Sequence, residues 1–334
     1  MPDPDSFEIA DVTDGEAWDG FVGTAVGGTA FSTTAWLRCA REATGCEDRI
    51  HGCYRRGELV AAVSGLHLSK RYRSQLVTPP LLPHGGFLHR PVDSDNPARW
   101  ESARNSSASS LIRFLETKYS SVRLTHSPEL VDTREFSWAG WDVGPRYTYR
   151  LPLPADRQKL WQRLERRTRT AVRKAEKEGY RFRRLDDPEL VRRQYELVYS
   201  SSPNPGRPPV ESALVERFAR AASDAGLTEM YVVESPSGAI AAAVVFARAC
   251  REVFAWVAGA DPAFRDSGAA SFLYWRFLEQ TTFQTFDFVG ANIRGIALFK
   301  RGFAGDLVPY FHTQGCRSRW LRGLTSLRTA LGTR

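Results

Sequence analysis

No stretch of this chain is apolar for anything near the roughly 20 residues that a membrane-spanning helix needs. The opening residues, MPDPDSFEIADVTDGEAW, are acidic and lack the basic-then-apolar layout of a signal peptide, so a cytoplasmic location is expected. Cysteine is scarce and odd in number. The five residues (Cys39, Cys46, Cys53, Cys250 and Cys316) form no CxxC pair, which argues against structural zinc and against a disulfide framework. Reduced thiols are the expectation. Six histidines are scattered without an HExxH pair, and neither a GxSxG elbow nor a Walker loop occurs. No metal site is expected. His84 and His312 read as structural or solvated side chains.

What the chain does have is length and positive charge. Its 334 residues exceed what one compact core holds, so two domains are expected, divided as 1–150 and 151–334. The formal net charge is +8, which attracts polyanions such as tRNA, phosphorylated substrates or anionic lipid. Composition does not choose among them.

The two halves repeat one pattern. IHGCYRRGELVAAVSGLHL reads as a hairpin turning at Gly57, and MYVVESPSGAIAAAVVFA reads as another turning at Gly238. After each come a strand, a helix and a strand. In the first half these are Ser74 to Thr78, Pro97 to Lys118 and Val122 to Thr125. In the second they are Val253 to Ala258, Ser267 to Gln280 and Thr285 to Val289. Strand, helix and strand in one sheet imply a parallel crossover, so the expected class is α/β with mixed sheets. Between the halves, residues 156–178 read as one long basic helix. Leu160, Leu164, Ala171 and Ala175 lie on one face, and Arg166, Arg169, Arg173 and Lys177 on the other. That basic face is either solvated or a contact for nucleic-acid phosphates.

Two segments carry chemistry. Arg265-Asp266-Ser267-Gly268-Ala269-Ala270 lies between a buried strand and an amphipathic helix, where small residues and a helix N-terminus could cradle a phosphate. A plain turn is the competing reading. FDFVGANIRGIALFKRGFAGDLVPYF places Lys300 and Arg301 between Phe299 and Phe303, either as an active pair or as a solvated helix end. Arg207, in the Pro-rich loop SSSPNPGRPPV, could clamp a phosphate or carboxylate, or be solvated. The C-terminal stretch CRSRWLRGLTSLRTALGTR is basic and amphipathic, with Trp320, Leu324, Leu327 and Leu331 on one side. It fits a cap on the second domain or a peripheral contact with an anionic membrane.

Hairpin, strand, R-x-x-G-x-A, helix and strand resemble the GNAT acyltransferase fold, through Arg265, Gly268 and Ala270. Further segments resemble the Fem family of aminoacyl transferases, and together these matches cover most of the chain. The matching positions are Asp287, Phe288 and Gly290 in a strand, then Phe299, Lys300 and Phe303 in an FK-x-x-F motif. Arg169, Arg173, Lys174, Ala175, Lys177 and Gly179 match a basic stretch of that family, and Phe31 and Trp36 its N-terminal segment. Two departures stand out: no long heptad insertion is present, and Ala304 stands where the family usually has glycine.

The resemblance implies two tandem GNAT-like domains and an acyltransferase forming an amide bond. The first domain is expected to be degenerate and to face the acceptor; the second, to carry the donor site. The implied donor is aminoacyl-tRNA, or acyl-CoA in the alternative reading, with no other cofactor. The acceptor is an amine on a cell-wall or peptide-like precursor, or, in the acyl-CoA reading, on a small metabolite or polysaccharide precursor. A non-catalytic binding module on the same fold is the third reading. Lys300, Asp287 and Phe299 are the implied catalytic residues. Arg207, Arg301, Phe303 and Asn292 would bind substrate; Arg265, Gly268 and Ala270 would hold the donor; Arg166, Arg169, Arg173 and Lys177 would meet tRNA.

Overall fold

The computed structural model describes residues 6–71, 73–91, 95–200, 210–249 and 251–316. The chain forms two compact units. One takes residues up to Arg146 and resumes at Pro309; the other is Tyr147–Val308.

The first unit runs β1 (Glu8–Asp11), α1 (Gly15–Thr24), α2 (Thr34–Thr44), β2 (Glu47–Arg55), β3 (Glu58–Lys70), β4 (Arg73–Val77), β5 (Gly86–His89), α3 (Pro97–Lys118), β6 (Ser121–Thr125) and α4 (Arg134–Trp138). Local chemistry sets these limits. Asp14 caps α1 by accepting from Glu16 and Ala17 N–H groups, and Gly45 ends α2 at φ 70°. Arg56 and Gly57, both at positive φ, make the tight turn between β2 and β3. Strands β1, β2, β3 and β4 pair antiparallel in sequence, and β4 pairs parallel with β6. Between them α3 covers a core of Leu111, Ile112 and Leu115 against Leu76, Val122 and Leu124.

Within β7 (Asp142–Pro152) the chain enters the second unit. There follow α5 (Arg157–Arg163), α6 (Arg166–Lys177), β8 (Arg181–Arg184), α7 (Pro188–Ser200), α8 (Ser212–Asp224), β9 (Thr228–Glu234), β10 (Ile240–Arg248), β11 (Glu252–Ala260), α9 (Ala269–Gln280), β12 (Thr285–Asp287), α10 (Arg294–Arg301) and β13 (Asp306–Cys316). Strands β8 to β11 pair antiparallel in sequence, β11 pairs parallel with β12, and β12 pairs antiparallel with β7. The order β8-β9-β10-β11-β12 repeats β1-β2-β3-β4-β6 of the first unit. The aromatic side chains of Tyr274, Phe277, Phe286, Phe288 and Phe303 fill the core. Among the described residues, no helix is long and apolar enough to cross a membrane.

Three expectations change. The second unit does not run to the end of the chain. His312–Cys316 pair antiparallel with Ser121–Thr125, so the last described strand completes the sheet of the first unit. The single basic helix is two, α5 and α6, broken where Leu164 and Glu165 adopt extended ψ near 145°. The guanidinium of Arg169 fills the break by donating to the carbonyls of Gln162 and Leu164 at 2.7 and 2.9 Å. The third change is that β12 stops at Asp287, two residues short of the expected end.

The first unit also holds a relay that runs from exposed Asp11 to buried His51 and Tyr119. His51 Nδ1 lies 2.6 Å from Asp11 Oδ1, and His51 Nε2 lies 2.6 Å from the Tyr119 hydroxyl, joining β1, β2 and the end of α3. Burial pulls the His51 pKa from 6.5 to about 4. The unfolded histidine therefore binds a proton over a window in which the folded one does not, and stability is lost as pH falls from 6.5 toward 4. Thermal unfolding between pH 4 and 8 should show this slope, to which His126, pulled by burial to about 3, also contributes, and His51→Asn should make it shallower. An unchanged slope would remove His51 as its source.

Candidate functional site

Strands β11 and β12 begin as neighbours and then part. Their pairing covers only Glu252 to Phe254 against Thr285 to Asp287. Meanwhile β11 stays paired with β10 as far as Ala260. Val245 faces Val257 and Phe246 faces Ala255, so Trp256 is an extra residue, a β-bulge at the point of divergence. Beyond Asp287 the chain keeps to β7 instead: Phe288 N–H donates to the Tyr149 carbonyl at 2.9 Å, and Ala291 N–H to that of Tyr147 at 2.6 Å. The second half of β11 is left with no strand on its β12 side among the described residues. In open α/β sheets, ligands bind at such a crevice beyond the carboxyl ends of parallel strands.

The turn from β11 to α9 borders this opening. Gly268 is the residue before α9, at φ 85°, and makes no side-chain cap. A Cβ placed there would lie 2.2 Å from the Ala171 carbonyl oxygen of α6, so both conformation and packing demand glycine. Lys174 ties the same turn to α6, donating to the Asp266 carbonyl at 2.7 Å. Ser267 Oγ accepts the Ala269 N–H at 3.1 Å. Arg265 is exposed, and Ala270 half-buried. Helix α9 thus begins with its first N–H held by Ser267 and no side-chain cap from Gly268, with the exposed Arg265 three residues before that glycine.

The matching place in the first unit is closed. Thr78 N–H donates to the Arg123 carbonyl, Thr125 N–H to Thr78 Oγ1, and Gly85 N–H to the Thr125 carbonyl, all between 2.8 and 2.9 Å. Helix α3 starts with Pro97, which has no N–H, and Asn96 caps the Ala98 N–H at 3.0 Å. Both helices have their first free N–H taken by a side chain two residues earlier, so among the described residues it is the opening that sets the second unit apart.

The far wall of the opening is Phe288 to Ala291. Val289 and Gly290 have φ of 51° and 78°, a left-handed pair that cannot continue a strand. The Lys300 side chain is buried, not solvated. Its ammonium donates to the carbonyls of Phe288, Val289 and Gly290 at 2.6, 2.8 and 2.6 Å, which uses all three of its protons. Burial lowers its pKa to about 8, against an opposing pull from Asp287. Asp287 is also buried. Its Oδ1 accepts from the Thr148 hydroxyl at 2.6 Å and from Val289 N–H at 2.7 Å, while Oδ2 accepts no hydrogen bond and lies 3.8 Å from Arg150 Nε. Burial raises its pKa to about 6, opposed by the bond from Thr148.

The remaining candidates fall into place unevenly. Phe303 is fully buried among Tyr274, Phe288 and Phe299, so it builds core and presents no surface to substrate. Phe299 is half-buried against the ring of Tyr274. Asn292 is exposed and accepts the Tyr147 N–H at 2.9 Å, and exposed Arg301 pairs with Glu165 at 3.0 Å. On α6, Arg169 is spent on the break described above, and Arg173 lies over the Trp161 ring at 5.5 Å. Arg166 and Lys177 are exposed. Ala304 sits at φ 62°, in the region that favours glycine. Arg207 and the C-terminal basic stretch lie outside the described residues. A separate groove of about 560 Å³, lined by Arg248, Arg251 and Gln284 among others, opens at the opposite end of β11 and β12, away from the bulge. Sequence reading missed Thr148, Arg150 and the bulge at Trp256. The one visible signal was a tryptophan among the small residues of FAWVAGA.

Residues 162–301 match the acetyltransferase (GNAT) domain family. No curated protein matches the chain. Among solved structures, FemX is similar at 15% identity and a TM-score of 0.64, over 91% of this chain and 96% of that one. L-PGS of Bacillus licheniformis is similar at 13% identity and a TM-score of 0.52, over 98% and 99%. A tandem GNAT protein from the clavulanic acid biosynthesis pathway is similar at 10% identity and a TM-score of 0.52, over 94% and 99%. The chain has the tandem GNAT acyltransferase fold, shared with FemX. The stretch that matches the GNAT domain lies within its second unit, and fold and match together support an acyltransferase.

Two substitutions test this geometry. Gly268→Ala should cost about 1–3 kcal/mol in urea unfolding, from the positive φ and the Ala171 contact; a neutral result would mean that α6 can move aside. Lys300→Met strands three carbonyls, that of Phe288 buried and those of Val289 and Gly290 half-buried, and should cost about 2 kcal/mol. The folded lysine loses its proton near pH 8 while the unfolded one keeps it to 10.5, so stability should rise with pH across that window. The Met variant should lack that rise; if it keeps it, another group is responsible.

Proposed function

We propose that this chain forms an amide bond, moving an acyl or aminoacyl group from a donor held at the opening between β11 and β12 onto an amine. The observation that carries this reading is the bulge-made opening beside the N-terminus of α9, present in the second unit and stitched shut in the first. The free amine attacks the carbonyl carbon of an activated ester or thioester. The C–N bond forms, the bond to the leaving oxygen or sulfur breaks, and the amine proton passes to the leaving group. Such donors are already activated, so orientation supplies most of the acceleration.

Aminoacyl-tRNA is the favoured donor. The support is the resemblance to Fem aminoacyl transferases, the FemX-like fold over 91% of the chain, and the exposed Arg166 and Lys177 on α6. The acceptor then is an amine of a cell-wall or peptide-like precursor. Acyl-CoA is the second reading, favoured by the Arg265-x-x-Gly268-x-Ala270 turn, whose helix end suits a pyrophosphate. In either case Arg265 and the start of α9 hold the donor. Asp287 and Lys300 act through the wall they shape, because the three ammonium protons are already engaged.

Thermal shift and transfer assays with acetyl-CoA and with charged tRNA separate the donors. At a hundred times its Kd, the true donor should stabilise the protein by roughly 2.7 kcal/mol. A tRNA complex should weaken steeply with salt, and more shallowly after Arg166→Ala and Lys177→Ala. If neither donor shifts the melting point or acylates an amine, the enzyme reading fails and the non-catalytic binding module takes its place.

A further inference from the structure

We infer that Thr148, on β7, is a positioning residue of the site: its hydroxyl couples the Asp287 carboxylate to the left-handed turn at Val289 and Gly290 and fixes the wall of the donor opening. The inference rests on the proposed acyl transfer for its catalytic meaning, but its geometry stands apart from that reading.

Thr148 has no exposed surface. Its single hydroxyl does two jobs. It donates to Asp287 Oδ1 at 2.6 Å and accepts the Gly290 N–H at 3.3 Å. Asp287 Oδ1 also accepts the Val289 N–H, and Lys300 gathers the carbonyls of the same residues. With the bonds to Tyr149 and Tyr147, every backbone N–H from Phe288 to Ala291 has a partner, as does every carbonyl from Phe288 to Gly290. The wall therefore spends no backbone group on a ligand and acts by its shape.

Within this network the hydroxyl has a directional role that neither charged group can fill. Lys300 holds only carbonyls. Asp287 can only accept when ionised, and its Oδ1 already serves Val289. Gly290 needs an acceptor for its N–H, and the carboxylate needs a donor to stay charged away from water; one hydroxyl supplies both. Valine, of equal shape, supplies neither. The bond also opposes the effect of burial on Asp287, so its loss pushes the titration of that carboxyl upward from about 6.

The test uses the full chain with Thr148→Val and Thr148→Ser. Two readouts need no activity. In the Val variant, ¹³C NMR of aspartate-labelled protein should show Asp287 titrating at higher pH, and amide hydrogen exchange should quicken at Gly290. Both should return toward wild type in the Ser variant. With whichever donor the wild type accepts, Thr148→Val should lower kcat roughly 10- to 100-fold with KM for the donor little changed, and Ser should restore it. A folded Val variant with an unmoved Asp287 titration and unmoved Gly290 exchange overturns the inference. So does a Val variant whose loss is matched by Ser, which would mark a packing role. A wild type that transfers nothing overturns the proposed function instead, and the two NMR readouts then still decide whether Thr148 holds the wall.

Discussion

The contact between the Lys300 ammonium and three consecutive carbonyls is what lets β12 end after three residues. A strand that stops inside a protein leaves polar backbone without partners, and each such group costs about 1–3 kcal/mol. Continued pairing with β11 would satisfy Phe288 to Gly290, but it would also zip the opening shut. A buried cation is the other solution. It needs no strand, it tolerates the left-handed turn at Val289 and Gly290, and it keeps the neighbouring edge of β11 free. The bulge at Trp256 turns β11 away from one side and the ammonium holds the chain away on the other.

The contrast between the units makes the same point by difference. Both have the same strand order and the same parallel pair joined by a helix. In the first, Thr78 and Gly85 carry hydrogen bonds across the place where the strands would part, and the helix starts with its own caps. In the second, a glycine precedes the helix because α6 crosses too close for any side chain. Packing against α6 therefore accounts for Gly268 without any ligand, and the proposed donor site adds a second use for the same turn. One residue thus serves two ends, which is why the motif alone could not separate a plain turn from a phosphate cradle.

Much of this was legible in the sequence, for physical reasons. Hairpins announce themselves by glycine turns between alternating apolar runs, and Pro97 marks the start of α3 because proline suits the first turn of a helix. The two basic helices read as one because the apolar spacing of Leu160, Leu164 and Ala175 passes through the break, and periodicity does not register a single pair of extended ψ angles. The return of His312 to Cys316 to the first sheet is a long-range pairing with no local signature. Thr148 was invisible for the same reason: a threonine in a strand is ordinary, and only the fold brings Asp287 and Gly290 to it. Lys300 was found by resemblance, but its surroundings change what it can do. A lysine at a helix end reads as solvated, whereas this one is buried with its donors engaged.

That engagement constrains any chemistry at the site. An ammonium that already serves three carbonyls can meet a developing oxyanion only by giving up one of them, and the buried backbone left behind would offset the gain. Asp287 is similarly bound, with one oxygen in two hydrogen bonds and the other away from water. Arg265, before α9, and Arg166 and Lys177, at the two ends of α6, are exposed cations. These suit the fixed charges of a donor's phosphates better than the transient charge of an acyl carbon. For an activated ester or thioester that division is sufficient: the leaving group is good, the amine is nucleophilic as the free base, and the largest remaining barrier is bringing the two together in line. In the proposed transfer, a wall held by Lys300 and Asp287 facing a free strand edge would address that barrier by restricting where the acyl group lies.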